Sequence, residues 1–203
     1  MLFINGANII IDPGADFDII QKHLKGYNIK PDFILNTHGH HDHIGAVSAI
    51  ILNYKIPFYI HELEEPIITD PEKNFSSFFG ENELSLKTYN LIKDTDYSYF
   101  ADFGIEIINA PGHTPGSIML KAGNYLFTGD LLFKGAIGRT DLPGGNTVQI
   151  KKSLANLKKM DRQLIIYPGH GQSSNLEYEL ESNYYLKEYF LKESSGKEKG
   201  GLL

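Results

Sequence analysis

The sequence predicts an α/β sandwich in which short buried strands alternate with amphipathic helices. Five segments share one form, an apolar run that ends near glycine or proline, and this form is typical of buried strands. They are residues 8–14, 33–40, 105–113, 124–130 and 163–171. Helical periodicity occupies much of the sequence between them. Strands that alternate with helices favour the α/β class, with α+β as the broader description.

Four stretches space their apolar residues along one face of a helix. They are residues 16–24, 43–54, 147–160 and 175–191. In the third stretch we predict a buried face of Val148, Leu154 and Leu157, with lysines outside. The fourth is predicted as one final helix with Asn175 at its N-cap.

The length of 203 residues suits one domain, which we place at residues 1–190. The remaining residues, 191–203, are polar and low in complexity, so we expect a mobile tail. The chain has no cysteine, which excludes disulfides, thiolate ligands and a cysteine nucleophile.

Charge and hydropathy exclude two classes of partner. The net charge is −6, without the basic surface that a nucleic-acid-binding protein needs. No apolar run approaches the roughly 20 residues of a membrane span. The first residues also lack the basic region and long apolar run of a signal peptide. We therefore expect a cytoplasmic protein that acts on a small molecule.

Half of the eight histidines lie within residues 38–43, in the stretch THGHHDHIG. Without thiolates, imidazole and carboxylate are the preferred protein ligands for zinc, iron and manganese. His38 and His40 are two residues apart and point the same way in an extended segment. Asp42 and His43 follow where a helix begins. One loop could therefore offer two ligand pairs to two ions.

Three further candidate ligands follow apolar strands elsewhere in the chain: His113, Asp130 and His170. Seven ligands in total suit two divalent ions about 3.5–4 Å apart that share one carboxylate. Asp130 is the candidate for the shared ligand because an aspartate offers two oxygens. Asp12 follows the first strand, and we expect it to orient a ligating histidine. Its alternative role is to form an Asp-Pro-Gly turn.

The other histidines are predicted to play lesser roles. His41 is expected to point away from the ions, His61 to lie at a helix start or on the surface, and His23 to be structural. Lys134 and Arg139 follow Asp130 and are candidates to bind a substrate carboxylate. Arg139 could instead pair with Asp141. For three aromatic residues, Phe75, Phe78 and Phe79, we favour packing in the core over the alternative that they cover the site.

Four motifs, THGHHDH, PGHTPGS, FTGD and YPGHG, occur in the order seen in the metallo-β-lactamase superfamily, which the chain resembles over about residues 8–190. Within it, PGHTPGS and GRTDLPGG resemble the glyoxalase II (hydroxyacylglutathione hydrolase) group. The resemblance implies a four-layer αββα sandwich with the metals at one edge of the sheets. It assigns His38, His40 and His113 to one metal, Asp42, His43 and His170 to the other, and Asp130 to both.

The function expected from this resemblance is metal-dependent hydrolysis of a 2-hydroxyacyl thioester such as S-lactoylglutathione. A metal-bound hydroxide would attack, with Asp42 and Asp130 as the catalytic carboxylates. Zinc is favoured for the two ions, with iron and manganese as alternatives. Three other functions remain open: a mononuclear-iron persulfide dioxygenase, a lactonase or other ester or amide hydrolase, and a metal-binding protein without activity.

Overall fold

The computed structural model describes residues 1–78 and 83–192, and the first half of the chain forms a five-stranded sheet. Its strands lie in the order β1 to β5. The first pair is antiparallel and the other neighbours are parallel. The strands are Leu2–Ile4 (β1), Ala7–Ile11 (β2), Phe33–Leu35 (β3), Phe58–His61 (β4) and Asn90–Ile92 (β5).

The second half forms another five-stranded sheet and a small hairpin. The strands are Ile105–Asn109 (β6), Ile118–Ala122 (β7), Tyr125–Gly129 (β8), Leu132–Phe133 (β9), Ala136–Ile137 (β10), Ile165–Pro168 (β11) and Ser174–Asn175 (β12). The sheet has the order β12–β11–β8–β7–β6, and β9 pairs with β10 in the hairpin. Strand β11 is parallel to β8, and the other pairs are antiparallel.

Helices connect many of these strands. They are Phe17–Gly26 (α1), His41–Ile44 (α2), Val47–Tyr54 (α3), Glu65–Ile68 (α4), Tyr97–Ala101 (α5), Thr147–Leu157 (α6), Leu176–Ser182 (α7) and Glu188–Lys192 (α8). Short 3₁₀ turns lie at Glu62–Glu64, Ser76–Phe78, Asp94–Asp96 and Tyr184–Leu186. In residues 1–78 and 83–192, no helix has the length and apolar character to cross a bilayer.

The core shows how the layers stack. Ile9 on β2 packs in a cluster that also contains Leu120 of the second sheet, so the two sheets face each other. The next residue, Ile10, points to the opposite face and packs with Ile50 of α3. On the far side of the second sheet, Leu126 packs with Leu154 of α6. This gives the four-layer αββα sandwich that was predicted.

The helix predicted over residues 43–54 is interrupted. Helix α2 ends at Ile44 and α3 begins at Val47. The Asp-Pro-Gly turn packs against the break, where the Ala46 N–H donates to the Pro13 carbonyl at 2.9 Å. A Cβ on Gly14 would lie 1.7 Å from the Asp42 carbonyl oxygen, so only glycine allows this approach. The break lets α2 stay short and end beside the turn.

Two details of the later helices also differ from the prediction. Val148 is 43% exposed, and Ile150 takes its place in the buried face of α6 because residues 150, 154 and 157 follow one helical stripe. Asn175 caps α7 as predicted, accepting from the Tyr178 N–H. The prediction of a single final helix is wrong, however, because the backbone of Asn183 is extended and separates α7 from the segments that follow.

The predicted domain boundary falls within the last helix. Leu191 and Lys192 of the predicted tail belong to α8. The rest of that tail, residues 193–203, lies outside the described residues.

Candidate metal centre

The loop after β3 carries the first candidate ligands, and Asp12 sets its conformation. The Asp12 carboxylate accepts from the Thr37 N–H at 2.7 Å and from the Thr37 hydroxyl at 2.6 Å. The Thr37 hydroxyl uses its only hydrogen in the bond to Asp12. It can therefore only accept from His38 Nδ1, which lies 3.1 Å away. His38 is therefore oriented with a free lone pair on Nε2. A chain of hydrogen bonds from β2 thus presets one ligand-ready imidazole.

The first group of candidate ligands consists of His38, His40 and His113. All three are buried, and each offers a ring nitrogen within 4.8 Å of the others. His113 Nε2 lies 2.9 Å from His40 Nδ1. His113 Nδ1 donates to the Arg139 carbonyl at 2.8 Å, which leaves the Nε2 lone pair of His113 facing the group.

The second group consists of Asp42, His43 and His170, with ligand atoms again within 4.8 Å of one another. His43 Nε2 and His170 Nε2 are 3.3 Å apart, and His170 Nε2 lies 3.0 Å from an Asp42 oxygen. Two nitrogens bound to one tetrahedral zinc ion would lie about 3.4 Å apart. The spacing of the two imidazoles therefore suits a shared ion.

Asp130 lies between the two groups. One carboxylate oxygen is 3.4 Å from His43 Nε2, and the other is 3.5 Å from His113 Nε2 and 3.7 Å from His170 Nε2. Gly169 permits this position, because a Cβ there would lie 2.3 Å from Asp130 Oδ1 and 2.7 Å from His43 Cε1. The carboxylate thus faces histidines of both groups, as a shared ligand must.

Unpaired polar atoms show that the site suits a cation. His38 Nε2 and Asp130 Oδ1 are buried and have no hydrogen-bond partner in the described structure. Buried polar groups are nearly always paired, so each of these atoms calls for an explanation. Lone pairs that converge in a buried site are what a divalent cation requires, and these nitrogen and oxygen donors fit zinc, iron or manganese.

Electrostatics favour neutral imidazoles in the first group. Burial, reinforced by neighbouring histidines, lowers the pKa of His38 well below its ordinary value and that of His40 to about 3. Burial also lowers the pKa of His113. A histidine must be neutral to bind a metal. At neutral pH, protons therefore do not compete with a metal ion for this group.

Carboxylates dominate the electrostatics of the second group. Burial acts to lower the pKa of His43, but Asp12 and Asp130 outweigh it and raise that pKa to about 10. Burial opposes ionisation of Asp130, yet His43, His113 and His170 keep its pKa below the ordinary value. The carboxylates therefore favour a positive charge at His43, and a bound metal ion would take the place of that proton.

A comparison with known families identifies the fold. The family model of the metallo-β-lactamase superfamily matches residues 1–170. The chain belongs to this superfamily.

Several bacterial and archaeal proteins are similar to this chain along most of their length. Probable metallo-hydrolase MJ0888 of Methanocaldococcus jannaschii is 36% identical, with 84% of this chain and 86% of the relative covered. Probable metallo-hydrolase YqgX of Bacillus subtilis is 33% identical, with 90% and 89% covered. Hydroxyacylglutathione hydrolase GloC of Haemophilus influenzae is 28% identical, with 87% and 86% covered. The chain is therefore similar to proteins named as probable metallo-hydrolases.

Several solved structures have the same fold. BLEG-1 B3 metallo-β-lactamase is 34% identical with a TM-score of 0.83, and 91% of each chain is covered. TTHA1623 in a di-iron-bound form is 28% identical with a TM-score of 0.84, covering 91% of this chain and 92% of that one. ETHE1 from Myxococcus xanthus shares the fold at 22% identity, with a TM-score of 0.64 and coverage of 88% and 73%.

Asp12 combines the two roles considered for it. Its φ of 47° places it in the turn that ends β2. Its carboxylate also lies 3.0 Å from His43 Nδ1, which must donate because an ionised carboxylate only accepts. Asp12 thus contacts His43 directly and reaches His38 through Thr37, so it orients one histidine of each group.

The other predicted residues lie around the site in different ways. His41 lines the cleft, with Nδ1 3.8 Å from Asp42, and belongs to no ligand group found among the described residues. His61 caps a 3₁₀ turn at its start, accepting from the Leu63 N–H, as predicted. His23 bonds the Ile19 carbonyl within α1.

The two side chains proposed to bind a substrate carboxylate, Lys134 and Arg139, both form hydrogen bonds with neighbouring residues. Arg139 lines the cleft and forms two hydrogen bonds with the Asp141 carboxylate, at 2.8 and 2.7 Å. This is the loop-bracing pair considered as its alternative role. Lys134 is exposed, donates to Gln172 at 3.1 Å, and is not among the described residues that line the cleft.

A cleft of about 550 Å³ opens beside the two ligand groups. Its apolar lining consists of Phe75, Phe78, Phe133, Ile137 and Leu142. Core packing was therefore the wrong prediction for Phe75 and Phe78, because the 3₁₀ turn over residues 76–78 directs this segment over the site. Phe78 is 71% exposed. Phe79 lies outside the described residues.

Sequence reasoning missed Glu64, which is fully buried behind the site. Its carboxylate accepts from the Gly39 N–H at 2.8 Å and the Gly116 N–H at 2.7 Å. Burial raises the pKa of Glu64 to about 7, although hydrogen bonds from Thr114, Gly116 and Gly39 act in the opposite direction. Its position within the acidic run HELEE is typical of a solvated surface, so no local signal indicated this role.

Proposed function

We propose that this chain is a metal-dependent hydrolase of 2-hydroxyacyl thioesters, with S-lactoylglutathione as the reference substrate. The observation that carries the proposal is the convergence of two ligand groups on Asp130 beside an open cleft. Similarity to hydroxyacylglutathione hydrolase GloC supports the choice of thioester. We also propose a cytoplasmic location, in keeping with the absence of cysteine.

The residues divide between two ions as the geometry suggests. His38, His40 and His113 would hold one, Asp42, His43 and His170 the other, and Asp130 both. Bound ions would supply Lewis acidity and a water whose pKa falls to about 7. We propose zinc, with iron as the second candidate because the similar TTHA1623 was solved in a di-iron-bound form.

The chain's own residues position the reaction. Asp42 is half-exposed at the cleft, where its carboxylate can orient water and accept a proton. The lowered pKa of Asp130 keeps that carboxylate ionised at neutral pH. Hydrolysis forms a C–O bond from water, breaks the C–S bond, and transfers a proton to the departing thiolate. No side-chain nucleophile is required, and the chain has no cysteine to act as one.

The direct test combines metal analysis with product detection. Protein loaded with zinc or with iron should hold two ions per chain and release thiol and 2-hydroxy acid from S-lactoylglutathione. Asp130→Asn should lower both the metal content and the rate. A fully loaded protein that releases neither product contradicts the proposal.

A β-lactam is the second candidate substrate, because BLEG-1 B3 metallo-β-lactamase is 34% identical over most of the chain. Amide hydrolysis would use the same ligand groups, so the substrate panel should include a chromogenic cephalosporin and a lactone. Preference is decided by comparing kcat/KM between the lactam, the lactone and the thioester.

The dioxygenase alternative predicts different mutational effects. An enzyme with one iron would not need His43 or His170. The convergence of these two histidines with Asp42 favours a binuclear hydrolase. His170→Ala should therefore strongly reduce hydrolysis. Oxygen uptake with a persulfide that survives this substitution would favour the dioxygenase instead.

A further inference from the structure

The cleft beside the ligand groups takes apolar side chains from two segments of the chain. Phe75 and Phe78 come from one segment, and Phe133, Ile137 and Leu142 come from the other. The ring of Phe75 is 5.3 Å from that of His40, centroid to centroid, so the apolar surface begins next to a candidate ligand. A group attached close to the reacting carbonyl would therefore contact these side chains. The five residues are called the apolar wall below.

The backbone of Phe75 is held in a conformation that bulky residues rarely adopt. Its φ is 68°, in the left-handed region. Asn74, which is fully buried, holds the segment by donating to the Leu84 carbonyl at 2.7 Å and accepting from the Ser76 N–H at 2.9 Å. The Asn74 carbonyl accepts from the His41 N–H at 2.8 Å. Strain held in place by surrounding hydrogen bonds at a site indicates a functional role.

Charge around the cleft disfavours an anionic substituent at this wall. Arg139 is the only lysine or arginine among the described residues that line the cleft, and Asp141 holds it through two hydrogen bonds. Using Arg139 to bind a substrate carboxylate would require breaking that pair or accepting the nearby negative charge. The lining instead offers apolar area, which favours a neutral hydrophobic group.

We propose that the acyl half of the substrate carries a bulky apolar substituent, aryl or branched alkyl, that packs on the apolar wall. This proposal rests on the proposed thioester hydrolysis and narrows its substrate class. The preferred substrates are then 2-hydroxyacyl thioesters in which an apolar group replaces the methyl of the lactoyl group. The wall acts on specificity, because a hydrophobic pocket discriminates between small and large apolar substituents.

Two thioesters provide a matched test because they differ only in this substituent. S-mandeloylglutathione has a phenyl group where S-lactoylglutathione has a methyl group, and the thiol and the 2-hydroxyl are the same. The metal-loaded protein should show kcat/KM at least tenfold higher for the mandeloyl compound. Equal values, or a preference for the lactoyl compound, would overturn the proposal.

Variants connect the preference to the wall. Phe75→Ala and Phe78→Ala should each lower the mandeloyl-to-lactoyl ratio severalfold. Phe3→Ala is the matched control, because Phe3 is 70% exposed on β1, close to the 71% of Phe78. The control should leave the ratio unchanged. Should Phe75→Ala fail to fold, the exposed Phe78 still decides the result, and a ratio that survives Phe78→Ala contradicts the proposal.

Binding of the product acids separates this proposal from the proposed reaction. Calorimetry on the metal-loaded protein should show mandelate binding at least tenfold more tightly than lactate, with the difference reduced in Phe78→Ala. If neither thioester is cleaved but mandelate keeps its advantage, the proposed reaction fails and the wall assignment stands. If both thioesters are cleaved equally and both acids bind equally, the reaction stands and the wall assignment fails.

Discussion

Glu64 accepts a hydrogen bond from the Gly39 N–H at 2.8 Å, directly between the candidate ligands His38 and His40. Its other oxygen accepts from the Gly116 N–H at 2.7 Å, in the loop that follows His113. One buried carboxylate therefore ties together the two loops that supply the first ligand group. We expect this link to help set the spacing of the three histidines.

Replacing Glu64 by glutamine should weaken the link, because an amide NH₂ would face a backbone N–H where an oxygen now accepts. We expect Glu64→Gln to lower the free energy of unfolding by about 1–3 kcal/mol, the usual effect of leaving a buried donor unpaired. Zinc affinity should also fall. Urea denaturation at pH 6 and competition with a chromophoric chelator measure the two effects.

Glu62→Gln is the control, because Glu62 lies in the same 3₁₀ turn, is 41% exposed and contacts Lys93 at 3.7 Å. Surface pairs of this kind contribute little to stability, so the control should behave like the wild type. Equal zinc affinity and stability in the two variants would argue against the link.

Stability should depend on pH through Glu64. Burial raises its pKa from 4.5 to about 7, so the folded state holds the proton more tightly than the unfolded state. The stabilisation from this proton is complete below about pH 4.5 and is lost as the pH rises towards 7. Glutamine does not titrate. In metal-free protein, the advantage of the wild type over Glu64→Gln should therefore shrink between pH 5 and pH 8, and parallel pH profiles would contradict the assignment.

Asp12→Asn should reduce metal affinity without removing a ligand. Asp12 accepts from the Thr37 N–H, the Thr37 hydroxyl and His43 Nδ1, and one amide oxygen cannot replace both carboxylate oxygens. The loss of such an orienting partner typically costs 10–100-fold in metal affinity. Titration with zinc measures it. Asp16→Asn is the matched control, because Asp16 is exposed and shares the left-handed backbone with a φ of 55°.

The parts of the fold that the sequence predicts are those with strong local signals. Strands β2, β3, β6, β8 and β11 coincide with the five apolar runs, each with its own stop signal. Strand β5 has only three residues, Asn90–Ile92, and its pairing with β4 makes it a strand. A short edge segment of this kind has no pattern that local reasoning could detect.

The residues of the site also fall into those that the sequence predicts and those that it does not. His113, Asp130 and His170 follow β6, β8 and β11 of one sheet. These three strands run in the same direction, so their carboxyl ends lie at one edge and the approach of the three side chains could be predicted. Glu64 and Phe75 could not be found this way, because their positions depend on how distant loops pack. Glu64 meets Gly116 across 52 positions of sequence, and the turn at Phe75 depends on a side-chain bond from Asn74 to Leu84.

Gly169 should be hard to replace, because its backbone lies directly against two candidate ligands. An added Cβ would lie 2.3 Å from Asp130 Oδ1 and 2.7 Å from His43 Cε1, so alanine must displace the carboxylate that faces both ligand groups. A shift of about 1 Å at a reacting centre can cost about 100-fold in rate. We expect Gly169→Ala to lose metal and at least that much activity, as measured by metal content per chain and thiol release. Gly26→Ala is the control, since nothing lies within 4 Å of its added Cβ. Full metal content in Gly169→Ala, with a rate within twofold of the control, would show that Asp130 need not occupy this position.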